Sequence, residues 1–201
     1  AETALADHLV EEKRGFNRFV RHEPLGVVVT IAPWNYPYLT AVNSIIPAIM
    51  AGNSVVLKHS NQTFLCAERF VEAFTAAGLP DGVFQYIHLD HETTAQLVSH
   101  DSVNFVSFTG SVAGGEAIEK SVAGYFKGLA LELGGKDPAY IRDDANLAHA
   151  IENVLDGAFF NSGQSCCGIE RVYVHESLYE RFVQGAINQI YEYKLGDPLD
   201  S

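Results

Sequence analysis

Three side chains in this sequence have the type and surroundings that nucleophilic chemistry on a carbonyl requires. Cys166 lies in Phe159-Phe160-Asn161-Ser162-Gly163-Gln164-Ser165-Cys166-Cys167-Gly168, small and polar residues just beyond a predicted helix. A thiolate needs an accessible sulfur and a lowered pKa, and backbone amides in a Gly/Ser-rich turn can supply activation together with an oxyanion site. The competing reading is a buried, inert cysteine. Glu132 is a single carboxylate inside the apolar run Leu129-Ala130-Leu131-Glu132-Leu133, which ends in Gly134-Gly135. Burial there would raise its pKa and suit it to act as a general base for water; pairing with Lys136 or capping a neighbouring helix is the alternative. Asn35 stands between Pro33 and Pro37 in Ala32-Pro33-Trp34-Asn35-Tyr36-Pro37. Its restricted backbone suits a fixed oxyanion donor, against a plain turn asparagine beside a core tryptophan.

Two further segments could hold phosphate and ribose groups. Val56-Leu57-Lys58-His59-Ser60-Asn61 ends a strand-like run with a cation and small polar groups, although a solvated lysine is the ordinary expectation. Phe108-Thr109-Gly110-Ser111-Val112-Ala113-Gly114-Gly115 passes from strand into helix, and its glycines would let a pyrophosphate approach the helix amino end. The spacing is not that of the common dinucleotide fingerprint, so this turn alone is weak evidence.

The elements that must position these groups follow from hydrophobic patterning. Short β-branched runs recur at 26–31, 54–57, 83–87, 104–108 and 129–133, without clean alternation, as expected of strands buried on both faces. Helix-length stretches at 39–50, 63–77, 92–99 and 112–123 lie between them, and strand-helix-strand repetition means crossover units in a parallel sheet. The spacing of Leu5, Leu9 and Val10 predicts a helix through the first twenty residues, ended by Glu23-Pro24. Beyond Pro138 the pattern changes to a helix at 147–160, a strand at 171–175 and a helix at 177–193, which puts a domain change near Gly135 to Pro138. The last residues, 196–201, read as a loop leading onward. The fold class is therefore α/β, a Rossmann-like parallel sheet with flanking helices plus the start of a second α/β domain.

Composition narrows the functional classes. A formal net charge of -12 opposes binding to nucleic acid or to an anionic membrane, and no apolar run approaches a membrane span. Three cysteines, two of them adjacent, give neither a disulfide framework nor a metal site and suit a reducing compartment, so a cytoplasmic protein is expected.

Taken in order, Pro33-Trp34-Asn35-Tyr36-Pro37, Phe108-Thr109-Gly110-Ser111, Leu131-Glu132-Leu133-Gly134-Gly135-Lys136 and Phe160-Asn161-Ser162-Gly163-Gln164-Ser165-Cys166 resemble four consecutive signatures of the aldehyde dehydrogenase superfamily. The likeness runs from about Arg21 to the last residue, and the ordered set is far more specific than any one part. It implies oxidation of an aldehyde to a carboxylic acid through a thiohemiacetal and thioester on Cys166, with Glu132 the deacylating base, Asn35 the oxyanion donor and NAD or NADP the cofactor. It implies cofactor contacts from Ile31, Ala32, Pro33, Trp34, Lys58, Ser60, Asn61, Gly78, Gly110, Ser111, Gly115 and Leu133. Residues 1–135 would be the NAD(P)-binding domain, with 1–25 partly a lead-in or oligomerisation segment, and 136–201 a partial catalytic domain. The family pattern commonly has an acidic residue where Asn61 stands; a neutral side chain removes a barrier to NADP, with Lys58 and His59 as candidate counter-charges. The stretches 57–61 and 135–138 resemble bacterial succinate-semialdehyde-type members. Family chains are more than twice this length and form dimers or tetramers, which implies a piece of a longer homo-oligomeric enzyme. Two other classes stand beside this reading: a cofactor-independent thiol esterase using Cys166 and Glu132, and a non-catalytic fragment.

Overall fold

The computed structural model describes residues 2–197 and 199, so within the loop expected at 196–201 Pro198, Asp200 and Ser201 lie outside the described residues, as does Ala1 of the expected amino-terminal helix. The chain divides into two compact units, Ala1–Leu133 and Gly134–Ser201.

The first unit opens with a short helix α1 (Glu2–Leu5) and an antiparallel pair, β1 (His8–Leu9) and β2 (Phe19–Val20). The helix expected through the first twenty residues is thus replaced beyond Leu5 by a hairpin. Its turn is closed by the Phe16 amide donating to the Lys13 carbonyl at 2.9 Å, with Gly15 at φ +83°, a conformation glycine adopts without strain.

A doubly wound sheet follows. Its elements are β3 (Val27–Ala32), α2 (Pro37–Met50), β4 (Ser54–His59), α3 (Leu65–Ala76), β5 (Phe84–Tyr86), α4 (His91–Ser99), β6 (Phe105–Gly110), α5 (Val112–Val122) and β7 (Gly128–Leu133). All five strands are parallel, in the order β5-β4-β3-β6-β7. The apolar runs of β3 explain why it lies centrally: Val28 and Ala32 join the core with Ala41, Ile45 and Ala67 of α2 and α3, while Val29 and Ile31 join Val98, Ile118 and Val122 of α4 and α5. Period-two alternation thus assigns one helix pair to each face. At the outer edge β7 behaves differently, because Gly128, Ala130 and Glu132 are exposed while Leu129, Leu131 and Leu133 pack inward. The expectation of burial on both faces fails for this strand.

The order of strands reverses direction between β3 and β6, and a crevice opens outside the carboxyl ends of neighbouring strands at such a switch point. The segments after β3, β4 and β6 are those that carry Pro33–Asn35, Ser60–Asn61 and Gly110–Ser111.

The second unit pairs β8 (Asp137–Ile141) with β9 (Ile169–Val174) in parallel, covered by α6 (Leu147–Phe159) and α7 (Tyr179–Ile190) over a core of Ile141, Ile151, Val154, Leu155, Leu178, Phe182 and Ala186. The strand β8 is absent from the sequence reading, since Asp137-Pro138 at its start resembles a turn.

Candidate active site

A cavity of about 650 Å³ occupies the switch point of the first unit. Ile31, Ala32, Pro33 and Trp34 line it from the end of β3, Lys58, Ser60 and Asn61 from the end of β4, and Gly110 and Ser111 from the end of β6. Its volume is in the range of small-molecule and cofactor sites.

The turn into α5 is built for close approach. A Cβ on Gly110 or on Gly114 would come within 2.7 Å of the Phe108 ring, so the backbone here stays bare. Ser111 caps the helix, its hydroxyl accepting from the Gly114 amide at 3.1 Å, and the remaining first-turn amides stay available to an anion. Lys58 adds the matching charge. Its residue is only 5% exposed, and burial depresses its pKa below the ordinary 10.5, partly opposed by Asp90.

Three sequence assignments are placed elsewhere. Gly78 follows α3, which runs from the carboxyl end of β4 back toward the amino ends of the strands, so it lies on the opposite edge of the sheet from the cavity. Its φ of +79° gives it a local duty, ending a helix in the left-handed region. Gly115 and Leu133 do not line the cavity either. They pack on each other beneath α5, where a Cβ at Gly115 would lie 2.6 Å from Leu133 Cδ2, so glycine sets the approach of helix to strand. His59 is a further correction, because it is 1% exposed and both ring nitrogens are engaged, which removes it as a counter-charge.

The sequence reading missed the side walls. His91, Thr94 and Ala95 of α4 and Ala117, Ile118 and Ser121 of α5 also line the cavity. The available signal was Asp90, whose carboxylate accepts from the Thr93 amide at 2.8 Å and caps α4 directly beyond β5.

Asn35 is half-buried in the loop between β3 and α2. Glu132 is exposed near the carboxyl end of β7, in register with Thr109, so this unit does not supply the burial expected from its apolar flanks. The expected pairing of Lys136 is with Glu170 instead.

In the second unit Cys166 is exposed on a tight turn that the Gly168 amide closes by donating to the Ser165 carbonyl at 3.3 Å. The chain reaches this turn through Asn161, Ser162 and Gly163, all at positive φ (51°, 58° and 74°). Left-handed geometry costs a non-glycine residue about 1 kcal/mol or more, and such strain tends to persist where function requires it. The amide of Gln164 donates to the Asn161 carbonyl at 3.1 Å and so does its side chain at 2.9 Å, which fixes the approach. Cys167 has its sulfur 3.3 Å from the Ser165 hydroxyl. The burial that would make Cys166 an inert core thiol is not observed.

A doubly wound parallel sheet with a crevice at its switch point, followed in the chain by an α/β unit with an exposed cysteine on a strained turn, is a two-part α/β architecture whose sheet places ligands outside the carboxyl ends of its strands. The aldehyde dehydrogenase family profile matches residues 1–201. An aldehyde dehydrogenase of Agaricus bisporus is 42% identical over 183 residues, covering 90% of this chain and 37% of the relative. The D-glyceraldehyde dehydrogenase (NADP(+)) of Picrophilus torridus is 36% identical over 202 residues, covering 100% and 41%. Among solved structures, betaine aldehyde dehydrogenase from Staphylococcus aureus in complex with NAD+ superposes with a TM-score of 0.90 at 35% identity, covering 97% of this chain and 39% of that one. The chain belongs to the aldehyde dehydrogenase family and spans about two-fifths of the length of these relatives. No helix among the described residues is long and apolar enough to cross a membrane.

Proposed function

We propose that this chain carries the NAD(P)-binding crevice and the nucleophile of an enzyme that oxidises an aldehyde to a carboxylic acid. The observation that carries the reading is the crevice itself, whose lining contains nine of the twelve sequence-assigned cofactor residues (Ile31, Ala32, Pro33, Trp34, Lys58, Ser60, Asn61, Gly110 and Ser111). The bare Gly110–Gly114 turn and the first-turn amides of α5 would hold the pyrophosphate, Lys58 and Ser60 the adenosine ribose. Bound there, a nicotinamide dinucleotide supplies the hydride acceptor that the oxidation needs. Asn61 leaves the ribose 2′ position without a facing carboxylate, so NADP is accepted as well as NAD.

The chain's own residues do the rest. The Cys166 thiolate adds to the aldehyde carbonyl carbon while the Asn35 amide and the Cys166 backbone N–H stabilise the oxyanion of the thiohemiacetal. After hydride loss the carbonyl carbon is held as a thioester on Cys166. Glu132 takes a proton from water, hydroxide equivalent adds to the thioester, and the sulfur leaves as thiolate with release of the acid. The reading is of a cytoplasmic enzyme assembled as a homo-oligomer.

The test uses the single tryptophan, since Trp34 lines the crevice. Titration with NAD+ and with NADP+ is expected to quench its emission saturably; no change with either dinucleotide overturns the reading and leaves a cofactor-independent thiol esterase as the surviving enzyme class. Turnover of an aldehyde panel with each cofactor, in the full natural protein, then identifies the substrate.

The Lys58 shift gives a pH prediction with a definite sign. Burial favours loss of its proton below the ordinary 10.5, and an anionic ligand favours keeping it, so binding takes up a proton at alkaline pH. Dinucleotide affinity is expected to weaken as pH rises from neutrality toward 10.5, and the Lys58→Met variant should bind weakly with a flatter profile. A parent profile equally flat over that span would exclude Lys58 as a phosphate or ribose partner.

A further inference from the structure

His59 is one of the largest fully buried side chains of the first unit, 1% exposed at the carboxyl end of β4. Its Nε2 is 2.9 Å from the Pro37 carbonyl and its Nδ1 is 3.1 Å from the Thr63 hydroxyl. A carbonyl can only accept, so Nε2 carries the proton; the Nδ1 lone pair then accepts from Thr63. Burial pushes the ring's pKa below its ordinary value, opposed by backbone hydrogen bonds with Pro37 and Ser60, and the ring bridges two segments that leave neighbouring strands. Pro37 is the first residue of α2 and follows Asn35 by two positions, and the loop that it ends carries Trp34. Thr63 closes the turn that carries Ser60 and Asn61, its amide donating to the Ser60 carbonyl at 3.1 Å. The same turn is joined to the end of β3 by the Ser60 amide donating to the Ala32 carbonyl at 2.9 Å. The imidazole and the Ser60–Ala32 backbone bond both join the two lips of the crevice.

We propose that His59 is a positioning residue: its two hydrogen bonds set the separation of the crevice lips, and with it the placement of Asn35 on one side and of the Ser60–Asn61 turn on the other. The inference rests on reading the crevice as a dinucleotide site with Asn35 as the oxyanion donor. A histidine that merely fills the core would need neither nitrogen to be paired to these particular loops, and an apolar side chain of similar size would replace it.

Ligand-free Trp34 emission and dinucleotide binding separate these outcomes, with the fold of each variant checked by circular dichroism. His59→Leu removes both bonds and is expected to shift the Trp34 emission and to weaken NAD+ or NADP+ binding about tenfold, the scale of a lost buried hydrogen bond. His59→Gln, whose amide can still donate to the Pro37 carbonyl, should return the emission close to that of the parent and recover most of the affinity. Thr63→Val removes only the Nδ1 partner and should give a smaller change in the same direction. A folded His59→Leu chain with the parent's emission and affinity overturns the proposal, even if it melts at a lower temperature. If His59→Leu does not fold, the Thr63→Val and His59→Gln chains decide it by the same criteria. If the parent binds neither dinucleotide, the crevice reading fails, while the ligand-free emission still decides whether His59 holds the lips.

Discussion

Replacing Cys166 with Ala is expected to abolish the absorbance rise of reduced nicotinamide in the full natural protein, by roughly 10⁴-fold or more, the scale on which loss of a covalent nucleophile acts. The adjacent cysteine makes this a demanding test, because Cys167 differs from Cys166 by a single position and both are exposed. Geometry separates them. Cys167 has its sulfur engaged 3.3 Å from the Ser165 hydroxyl, whereas Cys166 occupies the first corner of the turn that Gly168 closes onto Ser165. A Cys167→Ala variant should therefore keep turnover within a few-fold of the parent. Unchanged turnover in Cys166→Ala would eliminate the nucleophile assignment, and loss of turnover only in Cys167→Ala would transfer the role to its neighbour. Dinucleotide binding, measured by Trp34 quenching, should be the same in both variants, since the lining residues of the crevice, among the described residues, belong to the first unit.

The strands of the first unit were readable because their apolar runs are short, β-branched and bounded by turn residues, and the structure puts β3, β4 and β6 within two residues of the expected limits. The amino-terminal hairpin was not. Leu5, Leu9 and Val10 have helical spacing, but the segment is stabilised by partners far along the chain: Arg21 pairs with Asp7 at 2.7 Å and packs its guanidinium over Phe19, and the Val10 amide donates to the Arg18 carbonyl at 3.2 Å. Periodicity over ten residues cannot register contacts that close across a turn. The Arg21 guanidinium also holds the Asp7 carboxyl below its ordinary 3.8, by a hydrogen bond first and by charge second.

The site was legible to the extent that its residues follow strand ends. Pro33, Ser60 and Gly110 are each the first residues past or at the end of a β-run, so their convergence follows from a parallel sheet and its switch point. The walls from α4 and α5 depend on which helices share a face, which the strand order decides and local sequence does not. Gly78 was misassigned because a glycine that ends a helix and one that admits a phosphate carry the same local signal. Glu132 was misread in its burial, because β7 is an outer strand whose leucines face one side only. His59 was taken for a charge; its buried position and neutral hydrogen-bonded state emerge only once Pro37 and Thr63 are seen on either side of it.

The exposure of Glu132 sharpens what its replacement should do. Glu132 and Thr109 are register partners on adjacent strands, so the carboxylate stands one strand away from the turn at Gly110 and Ser111. Glutamine has the same shape and keeps the hydrogen-bonding reach, but cannot take a proton from water. In Glu132→Gln the first turnover, through hydride loss, is expected to proceed at close to the parent rate, giving a burst of reduced nicotinamide in rapid mixing. Steady turnover should then fall by about 10²–10⁴-fold, the usual contribution of a positioned general base. The stalled species should be visible directly, as an intact mass increased by the acyl group and mapped by peptide analysis to Cys166. Loss of the burst together with the steady rate would assign Glu132 to thiol activation as well as to hydrolysis, and an unchanged steady rate would remove it from the mechanism. Because the side chain is exposed on an edge strand of this unit, the substitution should leave the melting temperature of the chain nearly unchanged, so a rate effect cannot be attributed to unfolding.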